Sequence, residues 1–73
     1  MKELEEIMNS CYKVTFIIDH EGEVGWYSAP NIDWKKILDD IENGWIYNVW
    51  LFCEINGERK EFKLNKGGEL ELL

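Results

Sequence analysis

A chain of 73 residues has room for one small domain, so we interpret residues 1–73 as a single unit. Its formal net charge is −7, and the fifteen acidic residues are spread along the sequence. This balance argues against direct nucleic-acid binding, which requires clustered Lys and Arg. One histidine and two cysteines cannot build an ordinary structural zinc site without carboxylates, and we predict no metal and no other cofactor.

No apolar run approaches the roughly 20 residues that are needed to cross a bilayer, so we expect no membrane partner. The first eight residues, MKELEEIM, lack the apolar stretch of a signal peptide. The two cysteines do not form a disulfide framework. Together these features predict a cytoplasmic protein whose thiols are reduced.

A short helix is predicted at the start of the chain, within residues 1–9. Leu4, Ile7 and Met8 recur at the spacing of one helical face. The glutamates around them place negative charge in the first turns, where it suits the helix dipole. A helix this short is marginal unless its apolar side packs against the rest of the domain.

A β-hairpin is predicted next, with strands over residues 11–19 and 23–28. The first strand alternates large apolar residues with polar ones, and the Asp19–Gly22 segment has the chemistry of a turn. Gly25 in the second strand weakens it and suggests a bulge. The imidazole and carboxylates of Asp19, His20 and Glu21 are the one candidate acid–base or metal cluster, but a hairpin turn usually points such groups at water.

The main helix is predicted over residues 32–43, after the break at Pro30. Asn31 is a good N-cap, and Asp33 competes with it for this position. Four apolar residues share the spacing i, i+3, i+4, i+7 and form one stripe: Trp34, Ile37, Leu38 and Ile41. Gly44 should end the helix in the left-handed conformation.

The third strand, residues 45–55, is apolar on both of its faces, which a strand with only one buried face should not be. Asn56-Gly57 predicts a type I′ hairpin turn into a charged strand over residues 58–64. Residues 65–73 follow as a short fifth strand or a tail. The third strand therefore lies at the centre of a sheet covered on both sides, or one of its faces awaits a partner.

These elements predict an α+β fold, ββαββ with a helix in front. Short connections and a right-handed crossover give an antiparallel sheet of four to five strands in the order 2-1-3-4, with the main helix on one face. The charged fourth strand lies at one edge, where charges discourage further pairing. The second strand forms the other edge, and we predict that any added partner strand pairs there.

Alternation assigns each apolar strand residue to one sheet face. Against the helix we place Tyr12, Val14, Phe16, Ile18, Val24, Trp26, Tyr47, Val49, Leu51 and Phe62. On the second face we place Ile17, Ile46, Trp50 and Phe52. Asn48 should avoid the core, which puts Trp50 and Phe52 on the second face with it. This face would be covered by the N-terminal helix or by another molecule.

Two further groups of side chains are candidates for function. Asp39, Asp40 and Glu42 break a local rule, because acids are unfavourable at the C-terminal end of a helix. They are interpreted as an acidic docking patch or as an ordinary solvated face. Cys11 and Cys53 lie near each other in the predicted sheet but on opposite faces, which argues against a bond between them.

No motif of known catalytic mechanism occurs in the sequence, and we expect a protein that is not an enzyme. The leading hypothesis is a small acidic interaction module, an inhibitor or adaptor of the kind that phages and mobile elements encode. It would bind another protein, or itself as a homodimer. The residues predicted to bind the partner are Trp26, Tyr27, Asp39, Asp40, Glu42, Ile46, Trp50 and Phe52.

Two alternatives stay open. One is a nucleic-acid mimic, whose carboxylates take the place of phosphates on a basic protein groove. The other is a small-ligand-binding domain that uses one of the four tryptophans: Trp26, Trp34, Trp45 or Trp50. An enzyme that depends on His20 is the third choice, because acid–base catalysis needs a positioned titratable group.

Overall fold

The computed structural model describes residues 2–19 and 22–73. Two helices and five strands follow one another in the predicted order. They are α1 (Lys2–Ser10), β1 (Cys11–Ile18), β2 (Val24–Ser28), α2 (Trp34–Glu42), β3 (Ile46–Ile55), β4 (Glu58–Leu64) and β5 (Leu70–Leu72). His20 and Glu21, which belong to the predicted turn and acid–base cluster, lie outside the described residues.

Local chemistry sets the ends of these elements. Asp33, rather than Asn31, caps α2, and its carboxylate accepts a hydrogen bond from the backbone N–H of Lys36 at 3.1 Å. At the other end, Gly44 has a φ of 75° and donates its N–H to the carbonyl oxygen of Ile41. Asn56 and Gly57 both have positive φ, as a type I′ turn requires.

The five strands form one antiparallel sheet in the order β2-β1-β3-β4-β5. The predicted α+β class and the central position of β1 and β3 are confirmed. The prediction that the charged strand β4 forms an edge is corrected, because Leu70–Leu72 pairs outside it with Phe62–Leu64. The strand β2 pairs only with β1 and forms the opposite edge, as predicted.

Both helices pack on the same face of this sheet, which we call the covered face. One cluster of buried residues joins them to the strands and contains Leu4, Ile7, Cys11, Val14, Ile37, Ile41, Ile46, Val49, Leu51, Cys53, Phe62 and Leu64. The prediction left open whether α1 covers the second sheet face. Leu4 and Ile7 instead belong to the same core as Ile37 and Ile41 of α2.

A bulge in β3 determines which residues reach this core. Ile17 of β1 pairs with Tyr47, and Thr15 pairs with Trp50, so three steps along β3 match two steps along β1. The additional residue is Asn48, which has a φ of 48°. Asn readily adopts this left-handed conformation. Because of this bulge, the β3 residues before Asn48 lie on the sheet faces opposite to those that regular alternation would assign to them.

The bulge corrects two predicted positions. Ile46 was placed on the second face but is buried in the core, where it is 5% exposed. Tyr47 was placed against the helix but is 42% exposed and pairs with Ile17 on the second face. Trp50 and Phe52 pair with Thr15 and Lys13, as expected for the second face.

The predicted phase of the first hairpin is also partly wrong. Val24 and Trp26 were placed against α2, but they are 67% and 62% exposed and pair with Ile17 and Thr15 on the second face. Tyr12 is a second irregular position, since Cys11 pairs with Cys53 and Lys13 with the adjacent Phe52.

The ring of Tyr12 lies outside the core cluster and under the guanidinium of Arg59. The remaining covered-face predictions are confirmed by the core: Val14, Phe16, Ile18, Val49, Leu51 and Phe62.

Gly25 serves close packing rather than a bulge. The pairing of β1 with β2 is regular, with Phe16 opposite Gly25. A Cβ atom at position 25 would overlap the ring of Phe16, which lies across the glycine and is 5.8 Å from the Tyr27 ring, centroid to centroid. The absence of a side chain at Gly25 therefore gives the Phe16 ring its place on the covered face.

Candidate functional site: the open sheet face

The second sheet face carries a continuous set of aromatic and aliphatic side chains, and we call it the open face. The strand pairings assign its members, since directly paired antiparallel residues share a face. Its apolar residues are Ile17, Val24, Trp26, Tyr47, Trp50 and Phe52. None of the six belongs to the core cluster or packs against it.

Exposure across the open face is high for residues of this size. Val24, Trp26 and Tyr47 are more than two fifths exposed, and Trp50 and Phe52 are half-buried. Large apolar side chains that lie together on a surface are typical of sites of protein association. Among residues 2–19 and 22–73, both helices pack on the covered face, so no helix of this part of the chain shields these rings.

Lys13 of β1 lies between two rings of the open face. Its Nζ atom is 6.0 Å from the ring centroid of Trp26 and 5.9 Å from that of Phe52, on the strands to either side. A cation over an aromatic ring contributes about 0.5–1 kcal/mol at an exposed site. The lysine stem covers part of both rings while its ammonium group stays in water.

The charged residues of the open face balance. Its bases are Lys13, Arg59 and Lys63, and its acids are Glu54, Glu61 and Glu71. Three bases offset three acids, so the whole net charge of −7 is carried by the rest of the chain. The helices and the connecting segments are acidic, whereas the aromatic face is neutral.

The structure brings together three of the residues that were predicted to bind a partner. Trp26 of β2 and Trp50 and Phe52 of β3 lie on the open face, on the two strands that flank β1. Two others lie on the covered face: Tyr27 packs against the core beside Phe16, and Ile46 is buried in the core. Neither side chain is positioned for a contact with a partner on the open face.

The acidic residues of α2 form a separate surface on the other side of the molecule. Asp40 makes an ion pair with Lys36 at 3.2 Å, and the hydrogen bond to this carboxylate raises the pKa of Lys36. Asp39 and Glu42 are exposed. Since one carboxylate of the three is already paired, the predicted acidic patch is weaker than the sequence suggests.

Sequence reasoning missed Val24, Tyr47 and Lys13 as members of the open face. The signal for Tyr47 was Asn48, a residue that favours the left-handed conformation inside an otherwise apolar strand. For Val24 the signal was Gly25, which lies opposite Phe16 on the covered face, so that the neighbouring Val24 lies on the open face. From the sequence alone, this glycine instead suggests a bulge, which β2 does not contain.

A cleft of about 430 Å³ lies on the helical side of the molecule. Phe16, Ile18, Tyr27, Trp45 and Ile46 provide its apolar walls, and the Lys36–Asp40 ion pair lies at its side. Of the four tryptophans that were considered for ligand binding, Trp45 is the one that lines this cleft, and it is 52% exposed. Trp34 packs against the core.

The two cysteines meet, contrary to the prediction that they occupy opposite faces. Cys11 pairs directly with Cys53, and both are buried on the covered face as free thiols. The irregular position at Tyr12 shifts Cys11 onto this face. Burial and the neighbouring Cys53 raise the pKa of Cys11 to about 12, and burial also raises the pKa of Cys53.

We expect both thiols to be inert in the native protein. A pKa of about 12 for Cys11 leaves a thiolate fraction of about 10⁻⁴ at pH 8, roughly a thousandfold below that of an ordinary cysteine, and the thiolate is the reactive form. Ellman's reagent should therefore react slowly until denaturant is added, and then with both thiols. Fast reaction of the native protein would contradict this burial.

The raised thiol pKa also predicts loss of stability in alkali. The folded state holds the proton more tightly than the unfolded chain, whose thiols have the ordinary pKa of about 9.0. The contribution of Cys11 is therefore complete below pH 9 and is lost as the pH rises towards 12. Denaturant midpoints measured across this range should fall, and a Cys11→Ala variant should show a smaller fall.

The described residues contain no group of three or more His, Cys, Asp or Glu that could hold a metal ion. No helix in this part of the chain is long and apolar enough to span a membrane. Comparison with models of protein families, with curated proteins and with solved structures finds no significant match.

Proposed function

We propose that this chain is a small acidic protein-interaction module without enzymatic activity, and that the open face is its binding surface. The supporting observation is the set of exposed and half-buried rings on β2 and β3, the two strands that flank β1, with both helices packed on the opposite side. An inhibitor or adaptor that acts in the cytoplasm is the form of this function that fits its size and composition.

Exposure of these apolar side chains to water is unfavourable. Burying apolar surface contributes roughly 25 cal/mol per Å², and tryptophan and tyrosine are the residues most often found at the energetic centre of interfaces. Trp26 and Tyr47 are exposed and Trp50 is half-buried, so a partner that covers them gains this term. Folding of a single chain leaves this part of their surface in water and does not gain this free energy.

A pair of matched variants tests the surface. Trp26→Glu places a charge on the open face, whereas Trp45→Glu makes the same change at a similarly exposed tryptophan on the helical side. In affinity capture from host extract, we expect the wild type and Trp45→Glu to retain the same protein. Trp26→Glu should lose it. Capture of the same proteins by all three forms would contradict the proposed surface.

A second candidate function is supported by the cleft beside Trp45. Its volume of about 430 Å³ falls within the range of small-molecule sites, and its apolar walls with a few polar groups fit that class. A compound that changes the fluorescence of the wild type but not of Trp45→Phe would favour this alternative.

The nucleic-acid-mimic hypothesis has less support, because Asp40 is already paired and the open face is neutral. Such a mimic would bind its target with an affinity that falls steeply as salt increases.

A further inference from the structure

We infer that the open face is covered by the open face of a second copy of this chain, so that the protein is a face-to-face homodimer. This inference rests on the proposed function and names the partner. It places the contact on the sheet surface rather than at the β2 edge, where the sequence had suggested that a partner would add. Three features of the described structure support it.

The first feature is the distribution of charge. Three bases and three acids share the open face with the aromatic residues, while the helices and connecting segments hold the net charge of −7. Two copies that meet through this face place their acidic sides outward and far apart. A contact through the helical side would bring these acidic surfaces together, which is unfavourable.

The same balance allows the face to be complementary to itself. A contact between identical faces is favourable only if each charged group can meet its opposite across the two-fold axis. Lys13, Arg59 and Lys63 have as many potential carboxylate partners in a second copy, at Glu54, Glu61 and Glu71. A uniformly acidic or basic partner would leave half of these groups opposed to a like charge.

The second feature is the size of the face. Five strands spaced about 4.8 Å apart, with about seven residues of roughly 3.3 Å each, present about 550 Å² per copy. Two such faces, treated as flat, bury about 1,100 Å², and protruding side chains add to this area. The value is above the roughly 1,000 Å² expected of a specific interface.

The third feature is the composition of the central strands. β1 and β3 carry large apolar residues on both faces: Val14 and Leu51 on one, Ile17 and Trp50 on the other. Strands buried on both sides have this pattern. Two sheets that pack face to face about 10 Å apart are a common arrangement, and here they would give four layers with the helices outside.

Sedimentation of the intact chain tests this inference. We expect the apparent mass to rise from 8.7 kDa towards twice that value as protein increases from about 1 to about 100 µM, a range suited to micromolar dissociation constants. Because the rings rather than the ion pairs contribute most of the binding energy, added salt should leave most of the association in place.

Three variants locate the contact. Trp26→Glu and Phe52→Ser alter the open face on β2 and on β3, and each should weaken the dimer by about a hundredfold. Trp45→Glu is the control on the helical side and should leave the association unchanged. Circular dichroism of each variant confirms that the monomer is still folded.

The outcomes separate this inference from the proposed function. A wild type that remains at 8.7 kDa overturns the homodimer, while the proposed function still stands if Trp26→Glu loses a captured protein. A dimer that survives Phe52→Ser forms through another surface, such as the β2 edge, and also overturns the inference. A dimer that dissociates in both open-face variants and persists in the control supports it.

Discussion

Leu51→Ala should unfold the protein or bring it close to unfolding. Leu51 is 0% exposed and lies at the middle of the central strand, between Val14 of β1 and Phe62 of β4. Truncation of a leucine at such a position costs about 2–5 kcal/mol, because it removes apolar contacts and leaves a cavity. A domain of this size has a free energy of unfolding of only about 5 kcal/mol.

Leu72→Ala is the matched control, since it makes the same chemical change at a residue that is 61% exposed on the short edge strand β5. Its cost should stay below about 1 kcal/mol. Urea unfolding followed by tryptophan fluorescence measures both variants. Equal midpoints for the two would show that the core is not centred on Leu51.

Deletion of Trp50 should abolish folding. Trp50 lies in the regular part of β3, and its removal moves every residue on one side of the deletion to the opposite sheet face. Leu51 and Cys53, both 0% exposed, would then turn towards the open face if the start of the strand kept its place. Burial of a leucine side chain is worth about 1.5–3 kcal/mol, so the combined loss is comparable with the whole stability of the domain.

Deletion of Asn48 should have a much smaller effect, and it is the control for the first deletion. Asn48 is the residue added at the bulge, so without it Ile46 and Val49 still face the core and Tyr47 still faces outward. We expect the variant to give the circular dichroism spectrum of the wild type and to unfold cooperatively. If both deletions unfold the chain, our assignment of the bulge is wrong.

Much of the fold could be predicted from the sequence because local signals agreed with each other. Asn56-Gly57 specifies its turn by its backbone preference, and Gly44 ends α2 for the same reason. The central position of β1 and β3 followed from their apolar character. In each case a residue type has one structural role that it performs better than the others.

The sheet faces were harder to predict, because alternation propagates an error along the whole strand. The irregular positions at Tyr12 and Asn48 each change the phase, and neither is marked by a glycine. Gly25, which the sequence did mark, proved to be a site of close packing beneath Phe16. A single-residue change of phase leaves no trace in composition or in average hydrophobicity.

The position of α1 could not be predicted from its own residues. Its apolar stripe of Leu4, Ile7 and Met8 fits either sheet face. Contact with the buried cysteines holds α1 on the covered face, where the thiol of Cys53 donates to the carbonyl oxygen of Ile7 at 3.7 Å. The candidate site exists because this helix shares the covered face with α2.

The neutral open face and the acidic helical side give the molecule an electric polarity across its thickness. Near a basic macromolecule, the protein is therefore oriented by the electric field before contact, within a screening distance of about 8 Å at physiological salt. It arrives with its helices forward and its open face pointing away.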